Sequence, residues 1–223
     1  MSDEIKEPSG EPPAPAEGGA DEAAAKEAKA QAAAEARAAR AAAREAAKKA
    51  EAGEEAADAP PKPPSPKQPV LDGFAGILKE ALGESAVREA FINERDDHLP
   101  CVVLDPAMMK AAAPLLHDHP GLQMTYLRNL AGSDLETHLE VIYHFLRMDD
   151  MQEFGVKVKL DRNTPSVPSI TGIWAGADWH EREIFDLLGV DFPGHPNLVR
   201  IMLPDNWEGH PLRKDYEPLD PEV

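Results

Sequence analysis

From residue 20 to residue 52 the chain holds 19 Ala and no Leu, Ile, Val or Phe, so a packed core can begin only beyond that stretch. Residues 53–69, GEEAADAPPKPPSPKQP, follow as a Pro-rich linker, extended and fairly stiff. Neither stretch carries enough apolar surface to offset the entropy lost on ordering. The folded unit is therefore expected within residues 70–223, long enough for one sizeable core. The Ala-rich stretch keeps a local preference. Ala has the highest helix propensity, and Glu22–Lys26 and Glu45–Lys49 stand at helical spacing. Without a wide apolar stripe it reads as a solvated, fluctuating helix serving as tail or tether, with a partner-binding helix as the alternative.

Charge narrows the partners. Residues 70–223 carry 27 acidic and 13 basic side chains, a balance of −14 within a total of −18. Phosphate backbones and anionic lipid would repel such a domain, whereas a basic protein surface suits it. The N-terminus, MSDEIKEPSGEPPAP, is unlike a signal or transit peptide, and no stretch reaches the ~20 apolar residues of a membrane span. A cytosolic compartment is expected. The one cysteine, Cys101, excludes an intramolecular disulfide framework and an all-cysteine metal site within this chain. It opens the run Cys101-Val102-Val103-Leu104, which reads as a buried strand more readily than as the seat of a nucleophile.

The folded part reads as helix, strand, helix, three strands and an irregular C-terminal region. Phe74, Ile77, Leu78, Ala81 and Leu82 recur at helical period and predict a helix over Leu71–Ala90. Pro106 suits a first helical position, and Met108–His117 continues from it. Leu122, Met124 and Tyr126 alternate until Arg128 breaks the run. Leu139 to Phe145 and Phe154 to Leu160 alternate more cleanly, and the short Arg147–Glu153 connector predicts a hairpin. The fold class is α+β: a single sheet with an antiparallel meander and helices on one face, then an irregular, extended C-terminal segment. Three regions follow: a tail and linker over 1–69, the α+β domain over 70–164, and a C-terminal segment over 165–223.

In that last region Pro165-Ser166-Val167-Pro168-Ser169 should be extended. A short helix follows, with Asp178 as N-cap, Glu181 at capping-box spacing and Gly189 as stop. Steps of 100° put Ile184, Phe185, Leu187 and Leu188 on a broad apolar face, and Trp179, Arg182, Glu183 and Asp186 on the other. Glu181 falls inside the apolar arc. A carboxylate there must be satisfied. It can cap its own helix, pair with Arg200 or Arg213, or hold a proton and act in function. Around the helix, Trp174, Trp179 and Trp207 sit among charges, glycines and prolines, the composition of a built surface.

Eight histidines call for a metal test. No HExxH occurs, and no P-loop, GxGxxG or nucleophile elbow is present. His180, His195 and His210 recur every fifteen residues and could converge with Glu183 or Asp186 as a small metal-dependent hydrolase. A His before Pro, as at His195 and His210, is more often a hydrogen-bonded turn residue.

Three ordered motifs lie in this region. Glu181-Arg182-Glu183, Asp186 and Gly189 match an E-R-E-x-x-D-x-x-G run. Gly194, His195, Pro196, Leu198, Arg200 and Ile201 match G-H-P-x-L-x-R-I. Gly209, Pro211, Leu212, Arg213, Lys214, Asp215 and Tyr216 match G-x-P-L-R-K-D-[FY]. Together they resemble the C subunit of the proton-pumping NADH:quinone oxidoreductase, respiratory complex I. The acidic Ala-rich tail departs from that family.

The resemblance implies a hydrophilic, peripheral-arm subunit, and the acidic N-terminus favours the cytoplasmic face of a bacterial inner membrane. It would be part of an enzyme without being catalytic itself, with no catalytic, cofactor-binding or metal residues. FMN, iron–sulfur clusters and quinone would be carried by other subunits. Its partners would be other complex I subunits, chiefly the D subunit and then the B subunit. Trp174, Trp179, Glu181, Arg182, Glu183, Asp186, His195, Arg200, Trp207, His210, Arg213, Lys214, Asp215 and Tyr216 would then serve as subunit contacts or as staples of the fold. Related subunits serve membrane-bound nickel–iron hydrogenases and other quinone-linked complexes, and this one sequence barely separates them.

Overall fold

The computed structural model describes residues 65–217. The expectations for the Ala-rich stretch and most of the Pro-rich linker lie outside the described residues. Helix α1, Gln68–Leu82, carries Pro69 in its first turn and buries Leu71, Phe74, Ala75 and Leu78 at the spacing of one helical face. Strand β1, Val87–Asn93, forms a hairpin with β2, Leu99–Leu104. Helix α2, Met109–Asp118, follows a 3₁₀ turn over Pro106–Met108 in which Asp105 accepts from the Ala107 N–H at 3.0 Å. Strands β3, Tyr126–Asp134, β4, Leu139–Arg147, and β5, Gln152–Leu160, complete the sheet, and α3, Ala177–Leu188, closes the regular structure.

The sheet order is β1-β2-β5-β4-β3, antiparallel throughout except for the parallel β2–β5 pair at its centre. Alternate residues of β4 and β5, Leu139, Val141, Tyr143, Phe145, Phe154, Val156, Val158 and Leu160, share one core with the buried faces of all three helices. Phe74 meets Phe154 edge to face at 4.9 Å. The α+β class, with its meander and helices on one face, stands. Every residue of β2 is buried, and Cys101 within it has its thiol pushed up to about 11 by burial.

Two expectations need correction. The helix expected through Ala90 ends at Leu82, and a strand follows it. Gly83 adopts φ +94°, a backbone that a helix cannot continue, and residues 87–93 pair with β2. The third strand begins four residues after Leu122. Leu122 and Met124 are buried, but Gln123 has a left-handed φ of +48°, and the Met124 N–H donates to Leu116 O of α2 at 2.8 Å. That segment lies against a helix, which its alternation does not reveal. Arg128 does not end the run. It sits where the β3–β4 register shifts between Leu127 and Asn129, the mark of a β-bulge, and the strand continues to Asp134.

Trp174 anchors the far end of this core. It is buried, its ring lies 4.7 Å from that of Phe145, and its indole N–H donates to Met124 O at 2.9 Å. Trp174→Phe should leave that carbonyl unpaired and cost about 1–3 kcal/mol, read as a lower midpoint in denaturant with an unchanged slope. An unchanged midpoint would show that the bond contributes nothing.

A C-terminal strap fastened to the last helix

Two extended stretches frame α3. Val167 donates to Asp191 O at 3.0 Å, Asp191 to Pro165 O at 2.9 Å, and Ser169 to Pro193 O at 3.0 Å. The Pro-rich segment is thus extended, as its prolines dictate. The helix begins with Gly176 as N-cap, which supplies no side-chain cap, so Asp178 lies inside the first turn instead of capping it. Glu181 is likewise no capping-box partner. It is fully buried and accepts the Ile170 N–H on Oε1 at 2.8 Å, from a different segment. Neither Arg200 nor Arg213 reaches it. Those guanidiniums are directed to Asp186 and to Leu188 O.

Asp186 is the largest departure from the helical projection. Placed on the polar face, it is fully buried because residues 199–203 fold over it. One oxygen, Oδ2, accepts three successive backbone N–H groups, from Ile201 at 3.1 Å, Met202 at 2.8 Å and Leu203 at 3.0 Å. Arg200 Nε stands 3.7 Å from the other oxygen. Charge-assisted bonds of this kind are roughly twice as strong as neutral ones, and here they compensate the cost of burying the carboxylate.

The C-terminal end of α3 is closed by the same strap. An α-helix leaves its last four carbonyls without partners. Here Phe185 O accepts from the Gly189 N–H at 2.9 Å, Asp186 O from His210 Nδ1–H at 3.0 Å, Leu187 O from the Leu212 N–H at 3.1 Å, and Leu188 O from Arg213 Nε at 2.7 Å. All four are satisfied, three of them by residues 210–213. Arg213 also places a cation where the helix dipole favours one. Gly189 takes a left-handed φ of +70°, and a Cβ there would stand 2.4 Å from His210 Nε2. Both the backbone turn and the seat of the histidine ring require glycine.

Beyond Arg213 the strap crosses to the sheet. The Lys214 N–H donates to Asp134 Oδ2 at 2.9 Å, and Lys214 Nζ meets Glu136 Oε1 at 3.1 Å. Arg162 bridges Asp134 and Asp215, its Nη2 donating to the two at 2.8 and 2.7 Å, and its Nη1 donating to Glu136 O at 2.8 Å. Tyr216 packs over Gly209, where a Cβ would lie 2.9 Å from its ring. Asp134 and Arg162 were missed in the sequence. They lie 80 and 53 residues from the strap residues they hold, and no local pattern links them.

The remaining expected residues divide between staple and surface. His195 has a fully buried side chain. It accepts the Asn197 N–H on Nδ1 at 3.0 Å and stands 3.4 Å from Asp178 through Nε2. Arg182 donates to Val199 O at 3.0 Å and lies 5.4 Å from the Trp179 ring centroid. Trp174 is a core residue, not an exposed anchor. Trp179 is 65 % exposed and Met202 60 %, with Val199, Trp207 and Leu212 exposed beside them. Glu183 is exposed. His195 and His210 are thus tied to backbone groups, and no three His, Cys, Asp or Glu among the described residues are arranged to hold a metal ion. The hydrolase reading finds no geometric support.

Fold and site together define a hydrophilic α+β domain that ends in a strap laced to its own last helix and sheet. Residues 102–222 match the family described as respiratory-chain NADH dehydrogenase, 30 Kd subunit, and the chain belongs to that family. A relative from Roseiflexus sp. (strain RS-1), named as the C subunit of NADH-quinone oxidoreductase, is 46% identical over 117 residues, covering 51% of this chain and 67% of its own. One of the same name from Moorella thermoacetica is 39% identical over 148 residues, covering 66% of this chain and 95% of its own. A Pseudomonas fluorescens protein, named as the C/D subunit of NADH-quinone oxidoreductase, is 44% identical over 102 residues, 46% of this chain and 17% of its own. Among solved structures, the membrane-bound sulfane sulfur reductase, an archaeal respiratory membrane complex, contains a chain of similar fold at TM-score 0.51 and 19% identity, covering 68% of this chain and 88% of that one.

Asp186→Asn should cost about 1.5–3 kcal/mol, the range for hydrogen bonds to a charged group, and expose residues 199–216 to limited proteolysis while the sheet survives. Gly189→Ala should do the same through backbone strain of about 1–2 kcal/mol and loss of the His210 seat. Protease resistance equal to wild type in both variants would show that the strap is held elsewhere.

Proposed function

We infer that the chain serves as the C subunit of an NADH:quinone oxidoreductase, as a structural part of the peripheral arm and not as a site of electron transfer. Five large apolar side chains, Trp179, Val199, Met202, Trp207 and Leu212, remain exposed along the strap and the helix it crosses. This observation carries the reading. The backbones of Met202, Leu212 and Val199 are fixed by Asp186, Leu187 and Arg182 respectively, and Trp179 stands on α3, so a partner meets these four with little further ordering cost. Trp is a leading contributor to interface energetics, and Trp179 is presented with its ring braced by Arg182.

The partner proposed is chiefly the D subunit, then the B subunit, close to the quinone-reducing module. The C/D name of the Pseudomonas fluorescens relative supports proximity of the C and D subunits. Flavin, iron–sulfur clusters and quinone belong, in this reading, to other subunits. The one cysteine supports it, since a buried thiol with a raised pKa is poorly suited to serve as a thiolate ligand. Among the described residues no helix is long and apolar enough to cross a membrane. Attachment at the cytoplasmic face of a bacterial inner membrane would therefore come through the partners. Residues 1–67 are proposed as a tail and linker outside the assembly contacts; the linker stops short of the expected residue 69 because Gln68 and Pro69 open α1.

Trp179→Ala and Met202→Glu should leave the unfolding midpoint of the free chain close to wild type. Each should weaken assembly by about 2 kcal/mol or more, as hot-spot residues do, read as loss of the chain from the purified multi-subunit complex. Deletion of residues 1–64 should leave co-purification intact. Full retention of both point variants in the complex would overturn the proposed contact surface.

A further inference from the structure

Glu181 occupies an unusual position. It is fully buried where three pieces of chain meet: α3 itself, the 165–171 segment that donates the Ile170 N–H to it, and the 191–195 segment paired to that one. Its Oε1 is satisfied. Its Oε2 is buried and makes no well-formed hydrogen bond, with the Ser169 hydroxyl as the nearby donor. The Tyr143 hydroxyl, contributed from beneath by β4, is buried and without a protein partner.

The charged and titratable groups that face Glu181 come from each of these elements. Asp178, one turn back on α3, adds negative charge. His195 comes from the following loop and Tyr143 from the sheet, while Ser169 offers a hydroxyl from the 165–171 segment. No arginine or lysine is among them. His195 is turned to other partners: its Nδ1 accepts the Asn197 N–H at 3.0 Å, and its Nε2 stands 3.4 Å from Asp178. An ionised carboxylate with one oxygen lacking a well-formed hydrogen bond, in a site already bearing Asp178, is the costly state.

We propose that Glu181 is a buried proton-binding site of the folded chain, one that keeps its proton to higher pH than an exposed glutamate would and so joins the 165–171 segment to the helix that carries the strap. The proton comes from solvent, so folding takes up a proton through this group in the pH range just above the ordinary glutamate pKa. Burial, the largest influence on the carboxyl, raises its pKa above the ordinary value, against the lowering effects of Ser169, the Ile170 N–H and His195.

The direction of the pH effect follows. With the folded pKa raised, the folded state binds more protons than the unfolded state between the ordinary glutamate pKa and the raised one. The contribution of Glu181 to stability therefore falls as pH rises through that window and is constant below and above it. A rise in pH through that window loosens the junction under the strap, and acid down to the ordinary glutamate range does not.

The test compares denaturant unfolding of the full chain, wild type and Glu181→Gln, from about pH 5 to about pH 9, the range above the ordinary carboxylate pKa. Glutamine mimics the protonated acid. The ratio of the two unfolding constants should rise with pH by up to about tenfold per unit within the window, with the glutamine variant at least as stable as wild type at the alkaline end. Parallel profiles with a constant offset would overturn the proposal. His195→Gln in both backgrounds should leave the difference in place, and its disappearance would assign the proton to His195 and refute the idea. Should Glu181→Gln fail to fold, carboxyl-carbon NMR on wild type decides. One glutamate titrating above the ordinary range supports the site, and every glutamate titrating at or below that range overturns it.

Discussion

A single carboxylate oxygen organises the C-terminal quarter of this chain. Asp186 Oδ2 gathers the backbone N–H groups of residues 201–203, and with Arg182, which holds Val199 O, it bends an irregular, Pro- and Gly-rich segment back over α3. Once it is bent, residues 210–213 reach the open end of the helix and satisfy three of its terminal carbonyls. The two fastenings reinforce each other, since each shortens the loop that the other must close. The last pin, Asp134 with Arg162, ties the strap to the sheet. A segment with little regular secondary structure is held by side chains instead.

This arrangement gives the three sequence motifs one physical meaning. Helix carboxylate, turn over that carboxylate and cap of the helix end are contributed by the first, second and third motif respectively. Their spacing reflects the length of chain needed to leave Gly189, pass Asp186 and return to Leu188. Most of the charged residues are consumed within the fold, while the apolar ones between them, Val199, Met202 and Leu212, are left outside. That inversion, polar groups inward and hydrophobic groups outward, suits a surface made to be covered by a neighbour.

The sheet was largely legible in the sequence because β4 and β5 bury alternate residues, and α3 because Gly189 stops it. Strand β1 was not, since its residues follow a helix closely, with only Gly83 and a 3₁₀ turn over Glu84–Ala86 between the two. The apolar pair Leu122 and Met124 mimicked a strand while packing against α2. Helical projection put Asp186 on a polar face, and that was correct for the helix alone. It could not foresee a cover supplied by residues fifteen and more positions away. Glu181 was readable as a buried carboxylate, whereas its partner Ile170 was not, because the bond is tertiary.

The central claim is that the strap is fastened in the free chain and does not await a partner. Amide hydrogen exchange on the isolated full-length protein tests it most directly. Protection of Ile201, Met202, Leu203 and Leu212 approaching that of α3 is the predicted result. Exchange of those four amides at unstructured rates, with the sheet still protected, would contradict it.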